Sequence, residues 1–299
     1  MTERVAVRHD LERVPLASPS STTGLLEVFR RRYLLRLLVR REIQARYAGS
    51  TFGLAWSYIN PAIRFATFYF VFGIVIGRGM GVENFAIHLF AGMVIVHYFT
   101  ETVSSGTRSL VSNKAVVQKM AVPREMFPVA SMLVSLYHTI PQLIILSIVC
   151  FWTGWDPDAV GFAAALLGFV IIMVFGTALG LLFAATNVLF RDFGRIVQTF
   201  MNVVPFAAPM MYPYQLITER FGTGIWHTLY MSNPVAEAVL LIQRGFWVTT
   251  TSNPEAELLV SFPDDLWSRG FIMLGACLVV LAIGQLVFSR LEKTVPERL

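Results

Sequence analysis

Charge is scarce in this sequence. Only 14% of its 299 residues are Asp, Glu, Lys or Arg, against roughly a quarter in a water-soluble domain. With 55% hydrophobic residues and a mean hydropathy of +0.61, that shortage excludes an ordinary soluble domain and points to a polytopic membrane protein. Cysteine is scarcer still. Cys150 and Cys277 stand in apolar segments without metal-ligand spacing, so neither a disulfide framework nor a metal site is expected. No G-x-x-x-x-G-K-[ST] phosphate loop occurs, which leaves any ATP hydrolysis to another chain. The N-terminal stretch is polar and lacks an apolar h-region, so no signal peptide is expected. No soluble stretch is long enough to hold a catalytic domain. Asp156, Asp158, Asp264 and Asp265 fall in loops with nothing to aim them at a site, and no catalytic residue is assigned.

The cations that are present have a place. Ten Lys/Arg precede Ser57, and seven of these lie between Arg30 and Arg46. The net charge of +5 is therefore a topology signal and not a nucleic-acid footprint. On a helix, Leu34, Leu38 and Ala45 share one side, while Arg32, Arg36 and Arg40 stack on the other. Arg31 and Glu42 intrude on the apolar side. Residues 25–57 read as an amphipathic helix in the cytoplasmic interface plus its connector, following a polar, mobile segment over 1–24. A solvated basic segment that only sets topology is the plainer alternative.

The hydropathy pattern predicts an all-α membrane protein with six spans, at about 58–77, 85–107, 125–152, 160–189, 196–211 and 271–288. Pro128 and Pro141 bend the third, and Pro205 and Pro209 interrupt the fifth. Residues 226–248 are apolar enough to tempt a seventh span. Asn233-Pro234 breaks that stretch, however, and Glu237 and Arg244 charge it. A seventh crossing would also place Arg290, Lys293 and Arg298 outside, against the positive-inside rule. With six spans both termini are cytoplasmic, and 19 of the 24 Lys/Arg lie on that side. Residues 215–248 then form a re-entrant outer hairpin within a transmembrane domain of residues 58–290, and 291–299 form a cytoplasmic tail. Non-helical backbone at membrane depth needs cover from protein or water, so the hairpin is expected to line or cap a path.

Two charges fall inside spans. Arg64 and Glu101 each sit about six residues from the cytoplasmic end of a helix, roughly 9 Å deep at about 1.5 Å per residue. An unpaired charge near mid-membrane costs on the order of 3 kcal/mol. A salt bridge between the two would relieve that cost; independent snorkelling is the alternative. The first span also carries Phe65, Phe68, Tyr69 and Phe72 on one face. Such a face can line a path through the membrane. Lipid contact or helix packing is the other reading. Tyr98 is a further channel-lining candidate, with Phe99 and Tyr137. Glu237 and Arg244, seven residues apart, are expected to share a helix face and order the hairpin; contact with a sugar or diphosphate is the other reading. His88, His97 and His138 have no metal-ligand spacing.

Four segments in order resemble the membrane subunits of ABC-2 type exporters, in the branch that exports O-antigen, teichoic acid and related lipid-linked polysaccharides. They are Gly53-Leu54-Ala55-Trp56 with Asn60-Pro61; Lys119-Met120-Ala121-Val122-Pro123-Arg124-Glu125 with Pro128; Asn187-Val188-Leu189-Phe190-Arg191-Asp192; and Pro209-Met210-Met211-Tyr212-Pro213 followed by Asn233-Pro234 and Arg244. No single motif is specific, but together they cover about residues 30 to 290. Within the branch the chain looks most like actinobacterial galactan exporters. The resemblance implies a half-transporter in the cytoplasmic membrane: two copies form the path, and two separate ATPase subunits, using ATP and Mg, drive it. It implies that residues 112–120 form the coupling helix that docks on the ATPase, through Asn113, Lys114, Val116, Val117, Lys119 and Met120. It implies a polyprenyl-diphosphate-linked polysaccharide as cargo. Arg36, Arg40 and Arg46 are then candidates for the lipid diphosphate, since Arg pairs well with phosphate oxygens, and are equally placed to bind anionic membrane lipids. An ABC-2 drug or lipid exporter, and an integral-membrane glycosyltransferase or ligase, are the rival readings.

Overall fold

A computed structural model describes residues 24–76, 81–119, 122–190, 192–222 and 224–292. Met120, Arg191, the N-terminal segment to residue 23 and the tail from Lys293 lie outside the described residues. Those described are helical, with no strand among them.

The basic segment forms α1 (Leu25–Arg30) and α2 (Arg32–Tyr47). They part at Arg31, whose Nε lies 2.6 Å from Glu27 Oε1. Val28, Leu35 and Leu38 are buried, and Leu34 is half-buried; Ala45 is exposed, and so are Arg32, Arg36 and Arg40. The apolar side thus turns one residue from the sequence expectation and packs α2 against the third long helix.

After a 3-10 turn at Gly53–Ala55, α3 runs over Trp56–Phe68 and continues as a π-helical stretch, Tyr69–Ile76. Next come α4 (Phe85–Ser112), the short α5 (Lys114–Lys119), α6 (Met126–Trp152) and α7 (Ala159–Leu189). The final long helix is α13 (Leu266–Leu291). Together with the Gly53–Ile76 segment, α4, α6, α7 and α13 make five helices long and apolar enough to cross a membrane.

The expected fifth span differs. Residues 196–211 divide between α8 (Phe193–Val203), a 3-10 turn over Val204–Ala207, and an irregular stretch. Pro205 lacks the N–H that would continue an α-helix, and its ring crowds the preceding turn. The helix therefore stops at eleven residues, well short of the roughly twenty needed to cross.

Three short helices then fill the region read as a hairpin: α9 (Tyr214–Phe221), α10 (Ile225–Met231) and α11 (Pro234–Phe246). Asn233 caps α11, its side chain accepting from Val235 N at 3.0 Å with Pro234 in the first turn. The same device starts α12 (Pro254–Ser261), where Asn253 accepts from Ala256 N at 3.3 Å. Residues Val235 to Gly245 of α11 are all buried, against α4, α7 and α13. Glycine sets how closely these helices meet. A Cβ on Gly106 of α4 would lie 3.0 Å from Gly180 Cα of α7, and one on Gly245 of α11 would lie 2.6 Å from Gly161 O of α7. Such contact lets backbones approach where lipid offers no hydrophobic drive.

Packing is uneven. The apolar window of α4 is 72% buried and that of α3 only 6%. The core is therefore α4, α7 and α11, flanked by α6 and α13, while α3 lies on the outside.

Candidate functional site

A polar groove opens between α3, α4 and α8. The chain's scarce charge gathers there because α4 presents His97, Glu101 and Ser105 at helical spacing on one side. α2 reaches the same place through Arg46 and Tyr47, α3 through Ser57, Asn60 and Arg64, and α6 through His138. Towards α8 the groove continues past Thr100, Gln198 and Asn202, with Phe68 and Phe206 beside them. The α8 half has a volume of about 260 Å³ and the α2 half about 430 Å³; Pro61, Arg64, His97 and Glu101 line both.

Glu101 is paired, but not with Arg64. Its Oε1 accepts from Arg46 Nη2 and, at 3.0 Å, from Ser105 Oγ. Arg46 wins because the C-terminal end of α2 folds over the mouth and brings its guanidinium onto α4, a contact the sequence could not announce across the intervening turn. Arg64 is exposed and makes no ion pair among the described residues. A second cluster locks the same corner: Tyr47 OH bonds Ser57 Oγ and lies 3.2 Å from His138 Nδ1, which is also 3.2 Å from Ser57 Oγ. These bonds tie α2, α3 and α6 together. Beside them, burial pushes the Glu42 carboxyl up from its ordinary value, against Arg41 and Arg46 pulling it down.

The expected aromatic face divides. Phe65 and Phe68 lie about 60° apart on an α-helix and straddle the α4 contact. Phe68 faces the polar groove, whereas Phe65 lines a separate apolar pocket with Tyr58, Phe90 and Gln142. Phe65 also meets Phe90 edge-on at 5.2 Å and stacks on Tyr69 at 5.8 Å. Tyr69 is exposed, and Phe72 is half-buried against the core. Tyr98 is fully buried and stacked on Phe169 at 5.1 Å, so it is a packing residue and not part of an open path.

At the end of α4, Asn113 caps the helix. Its Nδ2 donates to Ser109 O at 3.0 Å, and its Oδ1 accepts from Arg41 Nη1 at 3.2 Å. The loop that carries α5 is thereby linked to α2. Lys114 and Lys119 are exposed and Val116 is half-buried. Val117, expected on the docking side, is buried in this chain's own core. Once α5 folds back onto α4, a six-residue helix must turn one apolar side inward. Arg36 and Arg40 lie exposed on α2, away from the bonds around Glu101.

Several motif residues are structural. Asn187 Nδ2 donates to Thr107 O at 3.1 Å and its Oδ1 accepts from Gly194 N at 2.8 Å, pinning the α7–α8 turn to α4. Arg124 lies 3.5 Å from Glu292, and Glu125 accepts from Gln285 at 3.1 Å, holding the start of α6 to the end of α13. At the opposite end, Arg244 donates to both carboxylate oxygens of Asp158, at 3.2 and 2.8 Å. Glu83 accepts from Ser252 N at 2.9 Å and Ser252 Oγ at 2.6 Å, which holds its carboxyl below the usual range. Glu237 is fully buried, and neither carboxylate oxygen has a hydrogen-bond partner among the described residues. Its lack of a partner could not be foreseen from its spacing to Arg244.

Long apolar helices packed through glycine contacts, with polar side chains gathered in a groove and at the helix ends, define a polytopic membrane protein of the permease kind. The ABC-2 type transporter family matches residues 33–246, and the chain belongs to that family. It is similar to the O-antigen export system permease protein RfbA of Myxococcus xanthus, 27% identical over 239 residues, covering 79% of this chain and 87% of the relative. It is also similar to two proteins of the same name from Klebsiella pneumoniae. One is 25% identical over 263 residues and the other 22% over 262, each covering 87% of this chain and 92% of the relative.

Proposed function

We propose that this chain is the membrane subunit of an ATP-driven exporter that carries a polyprenyl-diphosphate-linked polysaccharide across the cytoplasmic membrane. Two copies form the path, and two separate ATPase chains, using ATP and Mg, drive it. The exposed face of α5, with Lys114 and Lys119, meets the ATPase. α2 lies in the cytoplasmic interface among membrane lipids. α8 is too short to cross by itself, but together with the 3-10 turn and the irregular stretch to Met211 it serves as a broken sixth crossing; α9 to α11 dip in from the outer side, and both termini are cytoplasmic. The relatives' export of O-antigen supports the cargo class.

The observation that carries this reading is the groove beside α3. It joins an arginine with no ion pair among the described residues, amide side chains and aromatic rings in one cleft, a mixture that suits a sugar attached to a phosphate. It also lies on the least packed helix, where a second copy would close it into a passage. The test is depletion of the protein in cells, followed by sizing the polyprenyl-linked glycan and assigning its leaflet. Full-length polymer held on the cytoplasmic side is expected. Shortened polymer would point to a synthetic enzyme instead, and unchanged glycan would return a drug or lipid exporter to the front.

A further inference from the structure

We infer that Arg64 is a phosphate anchor: it holds the phosphate of a lipid headgroup in the groove between α3 and α4. The proposal rests on the export reading only for the identity of that lipid. Counting Arg46, Glu101 and Arg64, the groove carries one cation in excess. Glu101 is satisfied by Arg46 and Ser105, so its charge is spent on those partners. Among the described residues Arg64 has no carboxylate partner, although it projects from a membrane-spanning helix where a lone charge is costly. A lipid phosphate entering the groove would supply that counter-ion.

The surroundings select its chemistry. Asn60 lines the groove with Arg64, and its side-chain amide makes no hydrogen bond among the described residues. A planar guanidinium fork with a neutral amide in the same groove suits phosphate oxygens. The space fits as well. The α8 half of the groove, about 260 Å³, has room for a headgroup. Since α3 is almost bare, the groove is open sideways along the helix, and an acyl or isoprenoid tail can stay in lipid while its phosphate reaches Arg64. Gln198, Asn202 and Phe68 lie on the far side, where a sugar carried by that phosphate would rest.

The experiment uses the full chain in phosphatidylcholine nanodiscs and titrates labelled polyprenyl diphosphate. Arg64→Gln is expected to weaken binding about tenfold, the loss of one charge-assisted contact. Arg64→Lys keeps the charge without the fork and should fall between. Arg195→Gln removes an exposed cation elsewhere, whose side chain is 89% accessible, and controls for net charge. If R64Q and R195Q bind alike, the proposal is overturned. Because Arg64 is exposed, neither substitution opens a cavity, and unchanged thermal midpoints confirm that binding is what was read. Repeating the titration in phosphatidylglycerol nanodiscs separates the sources. Wild-type affinity falling to the R64Q level means that Arg64 also takes anionic phospholipid headgroups; affinity retained means that it is reserved for the polyprenyl lipid. Both results uphold the anchor. Should depletion leave the cell's glycan untouched while R64Q still loses binding, the export reading fails and the phosphate site stands.

Discussion

The bridge between Arg244 and Asp158 makes an uneven demand on its two members. The Arg244 side chain is 11% exposed, whereas that of Asp158 is 38% exposed. Truncating Asp158 to Ala strands a buried guanidinium. Truncating Arg244 to Met strands a carboxylate that water already reaches. A fully buried pair broken from one side costs about 3–5 kcal/mol. Asp158's exposure lowers that here, and two charge-assisted hydrogen bonds, each worth about 1.5–3 kcal/mol if buried, set the scale. Asp158→Ala should cost about 2–3 kcal/mol, and Arg244→Met about 1 kcal/mol after solvent screening. The assay is reversible unfolding of detergent-solubilised protein by SDS titration. With the other five tryptophans replaced by Phe, Trp155 fluorescence is a local probe, because its Nε1 donates to Gly245 O at 3.2 Å beside the bridge. A larger loss for R244M than for D158A would refute the asymmetry. The pH dependence has a definite sign. Burial pushes the Asp158 carboxyl up, but the hydrogen bonds and charge of Arg244 pull it further down, and it ends below its ordinary value of 3.8. The bridge's contribution is therefore complete above that value and fades as pH falls through the lowered one. Asp158→Asn should flatten this acid limb.

Two more outcomes follow from packing. A Cβ on Gly284 of α13 would lie 2.7 Å from the Ala178 carbonyl oxygen, while one on Gly275 meets nothing within 4 Å. Gly284→Ala should cost about 1–3 kcal/mol and Gly275→Ala should be neutral or stabilising, read by the same titration; equal effects would show that α13 does not press on α7. On α5, Val117→Asp should lower the chain's own stability by about 2 kcal/mol or more. Lys119→Glu should leave stability within about 0.5 kcal/mol and reduce co-purification of the ATPase. The reverse pattern would assign the docking face to Val117.

The apolar spans were legible because length and hydropathy alone decide them. α6 and α7 fall within a residue or two of the expected bounds, and the Asn-Pro pair at Asn233 starts a helix as its chemistry dictates. What failed to show was partner choice. Arg64 and Glu101 matched in charge and depth, but α2 folds back over the mouth and supplies Arg46 instead. Tyr98 and Phe68 are both aromatic and both sit in spans, yet one lies under Phe169 and the other faces the groove. Tyr98 lies on the side of α4 that packs on α7, where Gly106 and Gly180 bring the helices together, whereas Phe68 belongs to the sparsely packed α3. Pro205 and Pro209 were read as interruptions of a span. The structure ends the α-helix at Val203, because Pro205 cannot donate the hydrogen bond that would extend it, and Pro209 follows before another α-helical turn is complete.

The near-bare state of α3 also bears on how the chain is made. Elements hold in proportion to the contacts that would have to open, and this one has few. α4, α7, α11 and α13 bury one another and complete a stable unit without it. The first of the described spans in chain order is thus the least held by its neighbours. Until a second surface covers α3, a newly made copy carries the mark of an unassembled subunit, on which membrane quality control can act.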